Sequence, residues 1–468
     1  MKQSAFSSLA RAVCCAALPA LTSSCVLDAL HDKHHAWKTL DGDIPLVIAH
    51  RGLPGLYPEE TQPAYEAAAQ AGADSLEEDL HLSKDCVLIV RHNPWMHDNT
   101  NVASVAQTNP EVAARKRTVP GRLVPVPYDA AKYGGPAEYL SDLTDPSDPK
   151  SVLKSLVVDG EDHTGDWSVS DFTLAELKKW FGGTTYDAAD ERPTELNGKF
   201  PILTFQELID IAMAQNEATG RALSLYPEAK NPYWNNAQAK ANGCGKGDHP
   251  FEDAILKIIE DNGLNAKQAP IFVQSFDPDS LKYLRSAGLK TKTVQLIDGN
   301  AVDYKTGDMI YETDDAYNFV DGRPYSWTLA GDPRYFDVML TPEGLAEIKT
   351  YADGIGPWKP QVVAWRVTPF PETNADGTPY KGSLADVNSV TPKRLIADAH
   401  KAGLLVHSYT FRNEKRYLAG KYQGDPIAEY QDFFEAGIDG VFTDFANTGY
   451  EARNQFLASK LSVPVKGH

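Results

Sequence analysis

Short apolar, β-rich runs alternate with helix-like stretches along most of the chain. The runs lie at 45–50, 75–80, 87–92, 222–228, 271–276, 293–297, 353–357, 404–409 and 440–444. Helical periodicity appears at 62–70, 174–180, 205–215, 251–262, 278–287 and 391–402. This alternation predicts a parallel α/β sheet or barrel. Nine runs are one too many for an eightfold barrel. Only a short polar stretch around Ser83, Lys84 and Asp85 separates the second run from the third. Parallel neighbours need a crossover of about a dozen residues or more. The third run is therefore expected to return antiparallel, as a hairpin arm. Eight parallel strands remain, the count of a (β/α)8 TIM barrel, expected over residues 45–460. The same hairpin would bring His92 back beside Glu78 and Asp79.

Two stretches break the alternation. Residues 93–198 are rich in Pro, Gly, Asp and Ser and hold one clear helical segment. They read as an insertion after the early strands, on the active face of the barrel. Residues 298–345 read as a second loop-rich excursion after the fifth strand. Inserted segments over such a face suit water exclusion or substrate selection.

The first residues read as an address. Lys2 and Arg11 are the only charges before Asp28, and the apolar run between them and Asp28 is short and broken by Pro19. That pattern fits a secretory signal peptide over residues 1–24 and is too short for a membrane span. Leu21-Thr22-Ser23-Ser24-Cys25 is similar to a bacterial lipoprotein cleavage site, with Thr22 where Leu is usual. On that reading Cys25 is the first mature residue and carries the lipid that attaches the chain to a membrane. The expected location is exported, either periplasmic or as an outer-membrane lipoprotein. Of the five cysteines, Cys86 and Cys244 then remain in the body. An oxidising compartment permits one disulfide between them, although the sequence does not place them together.

Length and charge narrow the functional classes. A chain of 468 residues buries a large core without metal or disulfide staples. Its formal net charge of -19 argues against a general nucleic-acid binder and against a polybasic membrane-surface protein.

Polar groups at four strand ends carry the candidate chemistry. The first run closes on His50-Arg51-Gly52. In the second, side-chain alternation puts Glu77 and Asp79 on one face and Glu78 on the other. Two carboxylates on one inward face repel and need a cation or a proton between them. All-oxygen ligation suits Ca²⁺ or Mg²⁺. The third run ends in His92, a second candidate for acid–base work beside that pair. The fourth ends in Glu228 and Lys230, which share a face: Glu228 would complete the cation site and Lys230 would meet an anionic substrate. Active sites lie at the C-terminal face of such barrels. An acid, a base, a divalent cation and cationic anchors gathered there suit phosphoryl transfer to water.

The same residues resemble the glycerophosphodiester phosphodiesterase family. His50-Arg51-Gly52, Pro58-Glu59-Glu60-Thr61, the segment from Gly72 to Asp79, Lys84-Asp85 and His92 match its order and spacing. Pro227-Glu228-Ala229-Lys230, Gln274-Ser275-Phe276-Asp277, Val406-His407-Ser408-Tyr409 and Thr443-Asp444-Phe445 follow. The later motifs look like those of the exported bacterial enzymes. The resemblance implies a TIM barrel, an acid–base pair of His50 and His92, and a Ca²⁺ or Mg²⁺ site of Glu77, Asp79 and Glu228. It implies phosphate contacts from Arg51 and Lys230, with Glu59 supporting the first loop. The implied reaction is hydrolysis of a glycerophosphodiester to an alcohol and sn-glycerol 3-phosphate. Rival readings are a phosphodiesterase cutting lipid or choline-side bonds, or an exported surface lipoprotein with a binding role. Two positions depart from the family pattern. Asn93 stands where Asp usually follows the second His. Glu60 replaces the usual Asn, with a change in glycerol contacts as the expected consequence. Tyr226, Tyr233, Trp234, Phe276 and Tyr409 are candidates for a substrate groove or for core packing.

Overall fold

The computed structural model describes residues 37–117, 144–145, 148–152, 156–186, 192–312 and 322–461. Residues 1–24, Cys25 and part of 93–198 lie outside the described residues.

Nine strands build the central sheet: β1 (Leu46–Ala49), β2 (Ser75–Leu82), β3 (Leu88–Val90), β4 (Ser224–Ala229), β5 (Phe272–Ser275), β6 (Lys292–Ile297), β7 (Gly354–Pro357), β8 (Leu405–Phe411) and β9 (Gly440–Thr443). Eight of them pair parallel in chain order, and β9 closes on β1. The ninth, β3, pairs antiparallel with β2, with Leu80 opposite Val90. The surplus run is thus the hairpin arm that the short connection demands.

Around the barrel run α1 (Gln62–Gln70), α2 (Leu174–Trp180), α3 (Phe205–Thr219), α4 (Pro232–Asn242), α5 (Pro250–Asp261), α6 (Pro278–Ser286), α7 (Pro342–Ile348), α8 (Leu395–Ala402), α9 (Pro426–Ala436) and α10 (Ala446–Leu461). Local chemistry sets several ends. Thr173 with Glu176 and Thr204 with Glu207 form capping boxes at the starts of α2 and α3. Four of these ten helices, α4, α7, α9 and α10, carry no clear sequence signal. In α4 the reason is plain: Asn235 and Asn236 are buried and break its apolar stripe. The expected helix at 391–402 starts only at Leu395. Ser389–Pro392 instead pairs antiparallel with Val363–Arg366, where β-branched Val390 faces Trp365.

Strand alternation sorts the core into layers. Val47, Ala49, Leu76, Leu80, Leu225, Ala229 and Val273 pack outward against helices. Ile48, Tyr226, Phe272, Val294 and Phe442 point inward and fill the barrel. His407 joins this layer, with Nδ1 at 2.7 Å from the Tyr226 hydroxyl. Two residues further along β1, β4, β5 and β9, the inward positions become polar: His50, Glu228, Gln274 and Asp444, and on β2 the inward Glu77 and Asp79 are both polar. A dry apolar plug therefore underlies a polar mouth.

The chain between β3 and α3 has its own small core. Ile89 of β3 packs with Met96, Trp167, Val169, Phe172, Leu177, Phe181 and Ile202. Backbone bonds tie this unit to the hairpin turn: Lys84 N–H donates to Phe172 O at 2.8 Å. Cys86, at that turn, forms a disulfide with Cys244, just past the end of α4. The bond closes a span of 158 residues that contains the whole segment. Among the described residues no helix is long and apolar enough to cross a membrane.

A cross-link over so long a span restricts the unfolded chain, an effect of about 2–5 kcal/mol. Cys86→Ser is expected to lose stability on that scale, read as a lower denaturation midpoint. Reductant should reproduce the loss in the wild-type protein and add nothing in the variant. Equal midpoints with and without the bond would refute this.

Candidate active site

The polar mouth opens into a cavity of about 440 Å³. His50, Arg51, Glu77, His92, Glu228 and Lys230 all line it. Of the eight site residues read from sequence, these six face one space. The other two, Asp79 and Glu59, lie directly behind.

Register explains the grouping. Asp79 on β2 stands opposite Glu228 on β4, and Glu228 opposite Gln274 on β5. Glu77, Asp79 and Glu228 are buried, with one ligand atom of each within 4.8 Å of the others. Burial, then Asp79, raises Glu77 well above the usual carboxylate range. Burial also pushes Glu228 up to about 8, with Lys230 opposing and Asp79 adding. Against the same burial, Lys230 and Arg51 hold Asp79 low. The trio is a set of hard oxygen donors short of positive charge. Asp79 Oδ2 lies 3.3 Å from Arg51 Nε without the alignment of a hydrogen bond. Gln274 donates from Nε2 to Glu77 at 3.1 Å, and its own buried Oε1 has no hydrogen-bond partner. These donors fit a divalent cation of the Ca²⁺ or Mg²⁺ type.

The two cations bracket the trio. Arg51 has a left-handed backbone, φ 56°, which turns its amide toward Glu77 Oε2 at 2.7 Å. Its guanidinium reaches Glu59 at 3.3 Å. Glu59 also accepts from Asn99 Nδ2 at 2.6 Å, so it fixes Arg51 to the segment after β3. Lys230 Nζ is 3.6 Å from Asp79 and 3.5 Å from Glu228. Both cations still face the cavity.

The histidines are held differently. His50 Nδ1 is 2.6 Å from Asp444 Oδ1. Arg412, His50 and Arg192 together outweigh burial and keep Asp444 well below the usual carboxylate range. An ionised carboxylate only accepts, so Nδ1 carries the proton and Nε2 is free toward the cavity. Burial, then Arg51, lowers the His50 pKa, and Asp444 opposes them. His92 follows the hairpin, where the Arg91 amide donates to Asp79 O at 2.8 Å. His81 Nδ1 accepts from Asn235 at 2.9 Å, so its Nε2–H donates to the His92 carbonyl at 3.2 Å. His92 Nδ1 has no hydrogen-bond partner. Burial, Arg51 and Lys230 hold this imidazole well below its ordinary pKa.

The two departures resolve separately. Glu60 does not meet the cavity. It is buried behind β2 and accepts the Asp79 amide at 3.0 Å, so the expected effect on glycerol contacts gives way to a scaffold role. Asn93 lines the cavity and donates to Asp98 at 3.1 Å. Of the candidate groove aromatics, Phe276 and Tyr409 line the cavity. Tyr226 belongs to the barrel plug, and Trp234 is buried against Leu156 and Val158. The sequence reading gave no role to Asp444, Gln274 or Tyr186. Asp444 and Gln274 carried a usable signal, a polar residue at an inward strand position two beyond Phe442 and Phe272. Tyr186, edge-on to His92 at 6.1 Å between ring centres, lies in an irregular stretch with no such period.

The Glycerophosphoryl diester phosphodiesterase family matches residues 50–448. Glycerophosphodiester phosphodiesterase GDPD6 of Arabidopsis thaliana is 33% identical over 439 residues, covering 92% of this chain and 91% of its own. The glycerophosphodiester phosphodiesterase of Haemophilus influenzae is 24% identical, covering 87% and 89%. That of Treponema pallidum is 22% identical, covering 86% and 90%. By the extent of these matches, the chain belongs to the glycerophosphoryl diester phosphodiesterase family and is an enzyme of that class.

Proposed function

We propose that the protein hydrolyses glycerophosphodiesters to an alcohol and sn-glycerol 3-phosphate, using two histidines and a divalent cation. The observation that carries this reading is one cavity lined by His50, His92, Arg51, Lys230, Glu77 and Glu228, with Asp79 directly behind it to complete a buried carboxylate trio. Glu77, Asp79 and Glu228 would hold Ca²⁺ or Mg²⁺. Such an ion, when bound, supplies Lewis-acid stabilisation of charge on the phosphoryl oxygens. Arg51 and Lys230 face the same space and bind the phosphodiester oxygens, Arg51 through its planar fork of donors and Lys230 as a point charge. The free Nε2 of His50 and the imidazole of His92 divide the proton transfers. One accepts the proton of the attacking oxygen, which is water directly or a glycerol hydroxyl whose cyclic phosphate water then opens, and the other gives its proton to the leaving alcohol oxygen. Burial and the neighbouring cations lower the pKa of both imidazoles in the free protein. An anionic phosphodiester beside them favours the protonated form of whichever serves as acid. Phe276, Tyr409 and Tyr186 narrow the cavity and exclude water around the scissile bond.

We further propose that the protein is exported, with residues 1–24 as a signal, either to the periplasm or as an outer-membrane lipoprotein with Cys25 lipidated. The Cys86–Cys244 disulfide supports an oxidising compartment.

Incubated with glycerophosphocholine and Ca²⁺ or Mg²⁺, the protein should release glycerol 3-phosphate, and chelator should abolish the release. His50→Ala and His92→Ala should each lower kcat by about 10²–10⁴-fold. Release of choline phosphate, or full activity in either variant, would sink the reading.

Ligation by the trio has its own readout. At about 100 Kd of free ion, a cation bound only by the folded state adds about 2.7 kcal/mol. Calorimetric heat and thermal shift with Ca²⁺ or Mg²⁺ should both vanish in Glu228→Gln. An unchanged response would place the ion elsewhere.

Mass spectrometry of the mature protein should find an N-terminus at Cys25 bearing acyl mass. A mature chain that retains residues 1–24 would refute export.

A further inference from the structure

His50 is bound to the barrel through Asp444, and Asp444 is bound in turn to a residue from outside the barrel. Arg192 precedes α3, in the stretch that links the inserted segment back to the barrel. Its NH2 donates to Asp444 Oδ2 at 2.7 Å, across 252 positions of sequence. Its Nε donates to Glu414 Oε1 at 2.6 Å, past the end of β8. The Arg192 side chain is only 3% exposed, and that of Asp444 is 2% exposed. The guanidinium also lies 5.7 Å from the centre of the Phe445 ring. One guanidinium thus bridges two carboxylates that stand beyond neighbouring strands β8 and β9.

Geometry separates this contact from another at the same oxygen. Arg412 Nε also lies 3.0 Å from Asp444 Oδ2, but it lacks the alignment of a hydrogen bond. Arg412 therefore adds charge, while Arg192 adds direction. Asp444 has two oxygens: Oδ1 takes the His50 Nδ1–H, and Oδ2 is aligned by Arg192. With Oδ2 released, the carboxylate is free to rotate toward Arg412, and the His50 imidazole loses its fixed aim. Buried charge-assisted pairs of this kind are the strong ones, and their geometry is what a proton-transfer group needs from its partner.

We infer that Arg192 is a positioning residue for the reaction: it acts through Asp444 to hold the His50 imidazole with Nε2 directed at the substrate. The inference rests on the reading of His50 as one of the proton-transfer groups. It also assigns the inserted segment a part in catalysis. Barrel and insertion meet at a hydrogen-bonded chain, Glu414–Arg192–Asp444–His50.

A double-mutant cycle tests it on the full chain with glycerophosphocholine and saturating Ca²⁺ or Mg²⁺. Asp444→Asn is expected to lower kcat by about 10²-fold or more, and Arg192→Met by about 10-fold or more, with KM nearly unchanged in both. In the Asp444→Asn background, Arg192→Met should cost almost nothing further, because its effect runs through the carboxylate. Guanidinium ion at non-denaturing concentration should restore part of the Arg192→Ala rate and none of the Asp444→Asn rate. Circular dichroism and denaturation midpoints identify any variant that fails to fold, and Arg192→Lys, which keeps the charge, then takes its place in the cycle. Multiplicative losses in the double variant, or wild-type kcat in Arg192→Met, would overturn the inference while His50→Ala remains inactive. Full activity in His50→Ala would instead remove the reading beneath it.

Discussion

The central constraint on this molecule is the cost of three buried carboxylates at one barrel mouth. Glu77, Asp79 and Glu228 are each at most 5% exposed. In a low-dielectric setting like charges cannot all ionise without compensation. The surroundings supply part of it. Arg51 and Lys230 lie among the three, Gln274 donates to one, and the Arg51 amide donates to the same one. The remaining negative charge is what a divalent cation would neutralise. The polar mouth in turn needs a solid floor, and the plug of Ile48, Tyr226, Phe272, Val294 and Phe442 provides it. Water is kept from the barrel axis, so the charges stay at the open end, where substrate arrives.

A second layer of residues keeps these charges in place. Glu59 joins Arg51 to Asn99, Glu60 holds the Asp79 amide, and His81 holds the His92 carbonyl. All three lie on or beside the first two strands and their loop. The β2–β3 hairpin is the common mount: it carries Glu77, Asp79 and His92 and is fastened to α4 through Cys86–Cys244. Asn235 of α4 bonds both the Leu82 amide and the His81 ring. The disulfide and the site's supporting hydrogen bonds therefore converge on one helix, which ties folding stability to the precision of the site.

The acidic surface and the anionic substrate also fit together. A net charge of -19 repels a phosphodiester at long range. Screening limits that repulsion to about 10 Å at ordinary ionic strength. Inside the cavity the local charges decide, and there Arg51 and Lys230 stand beside the carboxylates, where a divalent cation would add to their positive charge.

Much of the fold was legible in the chain, because two rules of strand geometry are local. The period of two assigned Glu77 and Asp79 to one face and Glu78 to the other. The reach of a short connection required β3 to turn back, which left eight parallel strands and brought His92 to the acidic pair. Together with the polar residues that close the strand runs, these rules pointed to six residues that line the cavity. They could not rank partners distant in sequence. Asp444 meets His50 across 394 positions and Arg192 across 252, and Cys86 meets Cys244 across 158. No periodicity records such meetings, since they depend on how the barrel closes and where the inserted segment docks. The aromatics divided by height: Tyr226, inside β4, fills the plug, while Phe276, just beyond the end of β5, reaches the cavity. The sequence by itself determined the strand faces, the barrel and the histidines, carboxylates and cationic groups at its mouth, because side-chain alternation and chain reach are properties of short segments. Only the tertiary structure decided which of those groups touch, which residues meet His50 and Asp444, and what fastens the hairpin, because burial and closure are properties of the whole chain.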